Sequence, residues 1–240
     1  MKECCEILDW DSNFFGYKVC KVKIEIVEAG DLDIILETMV SEKCPLAYYS
    51  SKNKISTTLK QTPFFNIVLV DRKTVLIKTV NANENLSNKF VSIYADEVPN
   101  QALLQLAVQA GKYSRFFIDK KIGEEKAAEL YELWMINSIN KSIAKEILVY
   151  NESNNPVGFV TLGDKKGRGD IGIIAVDKNC RGKGIGKILM LEAENWFLRN
   201  GYKSVQVVTQ GDNTAACNLY SSCGYEIESV EFFYHIWLVK

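Results

Sequence analysis

The sequence predicts an α+β protein in which a mixed sheet is flanked by helices. Apolar runs of strand length, bounded by Asn, Ser, Gly and Lys, recur from Val19 to Val239. Five segments between them read as helices instead, and glycine stands where three of these segments stop, at Gly111, Gly201 and Gly224. With 240 residues, 47% of them hydrophobic, the chain is long enough to bury the core of one large or two small domains.

Taken in order, Val19 to Val27, Phe65 to Val70, Thr74 to Thr79 and Phe90 to Tyr94 read as strands, with a helix near Asp31 to Val40. A boundary near Asp96 to Asn100 divides residues 1–98 from residues 99–240. Beyond it Gln101 to Ala110 is a run of good helix formers, and Glu124 to Ser138 sets Ala128, Leu130, Tyr131, Trp134 and Met135 at helical spacing. Glu146 to Tyr150 and Val157 to Leu162 form a hairpin around a turn rich in Asn, Ser and Pro. After a charged turn over Asp164 to Gly169, Ile171 to Val176 is apolar throughout, as a strand covered on both faces would be. In Gly184 to Asn200 the residues Ile185, Ile188, Leu189, Ala193, Trp196 and Phe197 share one side of a helix. Lys203 to Thr209 is the next strand, Asn213 to Cys223 a short helix capped by Asn213, and Glu226 to Val230 and Phe232 to Val239 the last two strands.

Charge excludes some functions. Lys and Arg number 29 against 30 Asp and Glu, so no global cationic field attracts nucleic acid or anionic lipid, and any anion site must be local. Met1 to Phe15 lacks the apolar core of a signal peptide, and no run approaches the roughly 18 apolar residues that span a bilayer, so the expectation is a cytoplasmic protein with no membrane partner. Seven cysteines without a C-x-x-C pair or clustered histidines predict reduced thiols and no metal site.

Val176 to Gly186 carries the strongest chemical signal. It runs from an apolar strand through a basic, glycine-rich turn into an amphipathic helix, a construction suited to a pyrophosphate. Glycines at 182, 184 and 186 let backbone approach the anion, the helix start offers free N–H groups, and Arg181 and Lys183 add charge. A purely structural turn would look similar in isolation. A Walker loop is excluded, since no Lys-Ser or Lys-Thr follows the final glycine.

A second motif follows about thirty residues later: Asn213, Ala216 and Tyr220, then Gly224 and Tyr225. Together the two resemble the cofactor signature of the GNAT acetyltransferases over roughly residues 100 to 240. The resemblance implies the GNAT fold, a three-layer α/β arrangement with a mixed, largely antiparallel sheet, preceded here by a smaller α/β part that is a partner in substrate binding. It implies acetyl-CoA as co-substrate. The strands Ile171 to Val176 and Lys203 to Thr209 would splay, with Ile174, Ala175 and Val176 offering backbone groups to the pantetheine arm. Arg181, Gly182, Lys183, Gly184, Ile185 and Gly186 would hold the pyrophosphate, Asn213 and Ala216 would flank the arm, and Tyr220 would protonate the leaving thiolate.

Four further segments, Trp10 to Gly16, Gly111 to Phe116, Leu133 to Ser138 and Tyr234 to Leu238, look like those of the sugar-nucleotide acetyltransferases that act on dTDP-4-amino-4,6-dideoxygalactose. A nucleotide sugar needs an aromatic face for its base, a cation for its diphosphate and polar groups for its sugar. Trp10, Asn13, Phe14, Phe15, Tyr113, Arg115 and Trp134 offer those types. His235, the only histidine, alternates with Phe233 and Trp237 and reads as a packed or hydrogen-bonded residue. Direct attack of an unprotonated amine needs no covalent enzyme intermediate, and no carboxylate base is evident, because Ile171 to Val176 contains none. The resemblance also implies a homodimer. A GNAT enzyme acting on a protein N-terminus or another small amine, and a noncatalytic acyl-CoA-binding regulator, remain open at this point.

Overall fold

A computed structural model describes residues 4–25, 27–28, 30–55, 63–81, 88–153 and 155–239. Its described strands form one sheet of ten: β1 (Cys5–Ile7), β2 (Val19–Val22), β3 (Leu46–Ser51), β4 (Phe65–Thr79), β5 (Val91–Ile93), β6 (Glu146–Glu152), β7 (Asn155–Lys165), β8 (Arg168–Val176), β9 (Ser204–Gln210) and β10 (Glu226–Leu238), in the order β1-β2-β3-β10-β4-β9-β8-β7-β6-β5. Only β2 with β3 and β8 with β9 pair in parallel. Helices α1 (Asp9–Phe15), α2 (Asp31–Ser41), α3 (Gln101–Ala110), α4 (Arg115–Ile118), α5 (Glu124–Ile139), α6 (Ile185–Arg199) and α7 (Thr214–Ser222) cover its two faces. The class is α+β with three layers, as expected.

Strand periodicity sorts the core between the faces. On β10, Tyr234 and Ile236 join Ile35 and Met39 of α2 on one side, whereas Trp237 joins Phe116, Ala127 and Leu130 on the other. Farther along the sheet, Val160 and Leu162 of β7 pack on Leu189, Ala193 and Phe197 of α6, while Phe159 packs with Leu106 of α3 and Met135 of α5. Thus α2, α6 and α7 lie on one face and α1, α3, α4 and α5 on the other.

Several boundaries differ from the sequence reading. The strand expected over 19–27 ends at Val22, and residue 26 lies outside the described residues. The two runs Phe65 to Val70 and Thr74 to Thr79 are one strand, as are the two terminal runs, which form β10 with register shifts at Ile227/Ser229 and Phe233/Tyr234. The expected turn over Asp164 to Gly169 shrinks to Lys166 and Gly167, both at positive φ, the geometry of a tight two-residue hairpin. Gly111 is not a left-handed helix stop: its φ is −74°, and a side chain there would meet the Tyr131 ring at 2.6 Å. Close approach, rather than backbone freedom, requires that glycine. Helix α1 and strands β1 and β3 carry no counterpart in the sequence reading.

β4 has the most consequence for the site. It comes from the first third of the chain, yet lies between β10 and β9, both from the last sixth. The sheet therefore continues across the boundary at residue 98.

Candidate active site

The site begins where the sheet opens. β8 and β9 pair only from Gly169 to Ile171 against Val205 to Val207, although β8 runs on to Val176 and β9 to Gln210. Beyond Ile171 they part, and Gly172 to Val176 on one side and Val208 to Gln210 on the other line a cleft of about 960 Å³. The cause is visible in the β7/β8 register, where Val160 faces Ile174 and Leu162 faces Ile171, leaving one extra residue in β8. Such a bulge bends its strand and ends regular pairing. Ile173 and Ile174 are consequently half-buried, so the strand is not covered on both faces along its length. The N–H of Asp177 donates to the Val157 carbonyl at 2.8 Å. Antiparallel alternation then turns the N–H groups of Val176 and Ile174 away from β7, into the opening. Arg181 agrees, since its Nε donates to the Val176 carbonyl at 3.1 Å.

Past β8 the chain makes a short 3-10 turn and enters α6 through the glycine-rich loop. Gly182 and Gly184 adopt φ of 79° and 82°, conformations that side chains disfavour, and nothing fills the space a Cβ would occupy at either. Gly184 is the N-cap residue and supplies no side chain, so the first N–H groups of α6 keep their positive end toward the cleft. Arg181, Gly182, Gly184, Ile185 and Gly186 line the cleft. Lys183 does not; it turns outward to Glu152, 3.5 Å away. Lys187, which sequence reasoning missed, lines the cleft from the first turn of α6. A signal was available, because a cation in the first turn opposes the helix dipole unless an anion binds there.

Helix α7 forms the opposite wall. The Asn213 side chain accepts from the Ala216 N–H at 3.1 Å, the expected N-cap, and both line the cleft, Asn213 about two helical turns and Ala216 about one before Tyr220. Tyr220 is 3% exposed, and no hydrogen-bond partner meets its hydroxyl among the described residues. Burial pushes its phenol well above the ordinary range, so the proton stays in place at every physiological pH.

The far end of the cleft is built by side chains from α4, α5, β4 and β10. Tyr113, Arg115 and Trp134 line it, joined by Asp71, Lys73, Ser114, Tyr131 and Phe233, which sequence reasoning did not single out. Arg115 is held among rings, its guanidinium 4.4 Å from the Tyr48 centroid, 4.6 Å from Phe116 and 5.4 Å from Phe233. Trp10, Asn13, Phe14 and Phe15 lie on α1 and are absent from this lining. Phe15 is buried against Phe116, and Phe14 stacks on Trp10 while carrying Lys126 Nζ over its ring at 4.1 Å. Phe14 and Phe15 pack α1 onto the sheet, with Trp10 and Asn13 exposed.

Behind Arg115 lies a buried polar group. Asp119, which follows α4, accepts from Trp237 Nε1 at 2.7 Å and pairs with His235 Nδ1 at 2.6 Å. Burial pushes the Asp119 carboxyl up, but its hydrogen bonds from His235 and Trp237 outweigh that and hold it below the usual range. Burial also pushes the His235 imidazole down, so a neutral ring donates from Nδ1 to a charged carboxylate. This triad ties α4, and Arg115 with it, to β10.

Five cations, Lys73, Arg115, Lys165, Arg181 and Lys187, line the cleft against the single carboxylate of Asp71, in a chain whose net charge is −1. The local anion site required by the overall charge balance is here. A splayed strand pair, an uncapped helix start and a cationic cleft fit a long, polyanionic acyl carrier.

Comparison with known proteins agrees with that fit. The model of the acetyltransferase (GNAT) family matches residues 113–225. Over 98% of its length the chain is 26% identical to a dTDP-fucosamine acetyltransferase of Escherichia coli, covering 97% of that protein. It is also 26% identical, over 57% of its length and 47% of the relative's, to the spore coat polysaccharide biosynthesis protein SpsD of Bacillus subtilis. Among solved structures, a GCN5-related N-acetyltransferase from Sphaerobacter thermophilus superposes with a TM-score of 0.53 at 16% identity, over 96% of this chain and 75% of that one. Residues 113–225 form a GNAT acetyltransferase domain, and the activity these findings support is that of an acetyl-CoA-dependent N-acetyltransferase.

Proposed function

We propose that the acceptor is a dTDP-linked 4-amino-4,6-dideoxyhexose and that the protein acetylates its 4-amino group. The observation that carries this reading is the full-length similarity to a dTDP-fucosamine acetyltransferase, together with the cation and aromatic rings at the end of the cleft opposite the cofactor loop. Arg115 meets the diphosphate, Trp134 and Tyr113 offer faces to the base and sugar, and Asp71 and Lys73 bring residues 1–98 into the acceptor wall. Phe14 and Phe15 are given the task of fastening α1, and Trp10 and Asn13, exposed on its outer side, are given no substrate contact. The enzyme works in the cytoplasm, where seven free cysteines stay reduced. Among the described residues no helix is long and apolar enough to cross a membrane.

In the mechanism that follows, acetyl-CoA supplies an electrophilic thioester carbonyl. The N–H groups of Arg181 to Gly186 and the start of α6, with Lys187, receive its pyrophosphate, while Asn213 and Ala216 shape the channel for its arm. The N–H groups of Ile174 and Val176 face the opening and donate to the carbonyl oxygen as negative charge grows there. Tyr220 gives its hydroxyl proton to the departing sulfur.

Steady-state kinetics with matched acceptors tests the substrate. The dTDP-linked amino sugar should show kcat/KM at least about 10²-fold above the free amino sugar, because contacts remote from the nitrogen position it. Efficient turnover of peptides or simple amines, with none of the nucleotide sugar, would overturn the assignment.

A further inference from the structure

We propose that Asp71 is the proton acceptor of the reaction, taking a proton from the acceptor's ammonium group at the mouth of the splayed strands. The proposal rests on acetyl transfer to an amine and is indifferent to which amine that is.

The placement of Asp71 is the first argument. Directly paired residues of neighbouring strands project from the same face of a sheet. Leu69 pairs with Tyr234, and both belong to the core beneath α2, on the face away from α4. Ordinary alternation would send Asp71 to that face too. Instead Asp71 pairs with Phe233, because the register shifts by one residue between Phe233 and Tyr234 and leaves Val70 as an extra residue in β4. One inserted residue reverses the parity of everything after it. The bulge thus transfers a carboxylate from an apolar core to the cleft, beside Phe233, Lys73 and Arg115.

Its surroundings are the second argument. Asp71 is the single acidic side chain lining the cleft, and its Oδ1 is buried without a hydrogen-bond partner. A structural carboxylate would be expected to be paired. Arg115 from α4 and Lys73 from β4 favour its charged form, Asp212 after β9 opposes it, and Tyr131 of α5 and Phe233 of β10 close the site. Burial outweighs the cations and pushes the carboxyl up to about 7, a value suited to exchanging protons at neutral pH.

The balance is simple. Asp71 takes one proton from R–NH3+, and the freed lone pair forms the C–N bond as the C–S bond breaks. Tyr220 protonates the thiolate, the second nitrogen proton restores Tyr220, and Asp71 returns its proton to solvent. One proton is released for each amide formed.

The test uses the intact enzyme with dTDP-4-amino-4,6-dideoxygalactose. Asp71→Asn, which keeps shape and size, should lower kcat by about 10²- to 10⁴-fold with acetyl-CoA affinity retained, and should lose the limb of kcat/KM that falls below about pH 7. A variant with normal kcat, or one that keeps that limb while only KM rises, would overturn the proposal. Should Asp71→Asn fail to bind acetyl-CoA, Asp71→Glu decides: partial recovery of rate with a displaced acid limb is expected, and a rate no better than that of Asp71→Asn counts against it. Carboxyl-carbon NMR of the free wild-type enzyme needs no acceptor, so it stands even if the nucleotide sugar is not the substrate. One aspartate signal should titrate near pH 7 and vanish in Asp71→Asn; absence of any aspartate titrating above about pH 5.5 would overturn the proposal.

Discussion

The two ends of the cleft are made of different material. At the end proposed for the cofactor the groups on offer are mostly backbone N–H, delivered by a stretch from Gly172 through Tyr220 in which strand, loop and helix follow one another directly. At the acceptor end they are side chains gathered from Asp71, Arg115, Trp134 and Phe233, which share neither an element nor a periodicity. Backbone donors depend on conformation and therefore on glycine spacing, which can be read from sequence. Side-chain donors depend on which distant elements meet. One end can serve a whole family, while the other is free to differ with each acceptor.

Substitutions should expose that division. The largest effect is expected from Tyr220→Phe, which leaves the ring and removes the proton proposed to reach the leaving group. kcat should fall by about 10²- to 10⁴-fold with acetyl-CoA affinity intact, as read by single-turnover rates and calorimetry. Loss of binding in parallel would make Tyr220 a packing residue.

Gly184→Val comes next. Its φ of 82° penalises any side chain by about 1–2 kcal/mol before contact with phosphate is considered, so acetyl-CoA affinity should drop by roughly 10- to 100-fold. Gly186→Val brings its Cβ to 3.2 Å from Leu219 and should do similar harm through the α6–α7 contact. Arg181→Ala leaves the N–H cradle in place and should cost less than either. Equal losses in all three would mean that charge, not backbone, holds the anion.

Arg115→Ala tests the other end. KM for the dTDP sugar should rise about tenfold, the consequence of one lost charge-assisted contact, while KM for acetyl-CoA stays within about twofold. Matched increases in both would show that Arg115 shapes the whole cleft.

The smallest effect is one of stability. Folding raises the Asp71 carboxyl from about 3.9 in an unfolded chain to about 7. The folded state thus keeps a proton that the unfolded state has released, and the associated stability is full below about pH 4 and lost as pH rises through 7. Asp71→Asn escapes that loss, so its Tm should exceed the wild type's by roughly 2–6 °C at pH 8 and by little at pH 4. A gain independent of pH would point to packing instead.

The same contrast explains what could be read beforehand. The glycine loop, the Asn213 cap and the inward Tyr220 follow from local rules, and the structure brings them to one cleft. Lys183 and Lys187 changed places because the loop's positive-φ turns direct Lys183 to Glu152, a partner on another strand. Helix α1 was legible in Asp9 and Asp11 of its first turn and in Gly16 at φ 75°, but its aromatics drew attention to recognition instead of packing. Asp71 had no local signal. Asp71, Arg72 and Lys73 look like a charged break between two apolar runs, and only the bulge opposite Phe233 places the carboxylate in the cleft.

The insertion of β4 between β9 and β10 bears on how the chain is made. A ribosome releases β4 more than a hundred residues before either neighbour exists. Until they emerge, a fifteen-residue strand must wait with both hydrogen-bonding edges bare, an invitation to pair with another nascent copy. Polar and charged residues along it, among them Arg72, Lys73 and Lys78, suit that interval, since charge discourages strangers at an open edge. Once β10 is complete, contacts of very long sequence separation close the sheet in one late step, which by general topology makes folding slow. Assembly of the cleft therefore belongs to the end of synthesis: the carboxylate on β4 and the tyrosine on α7 share no cleft until β9 and α7, both in the last sixth of the chain, have emerged.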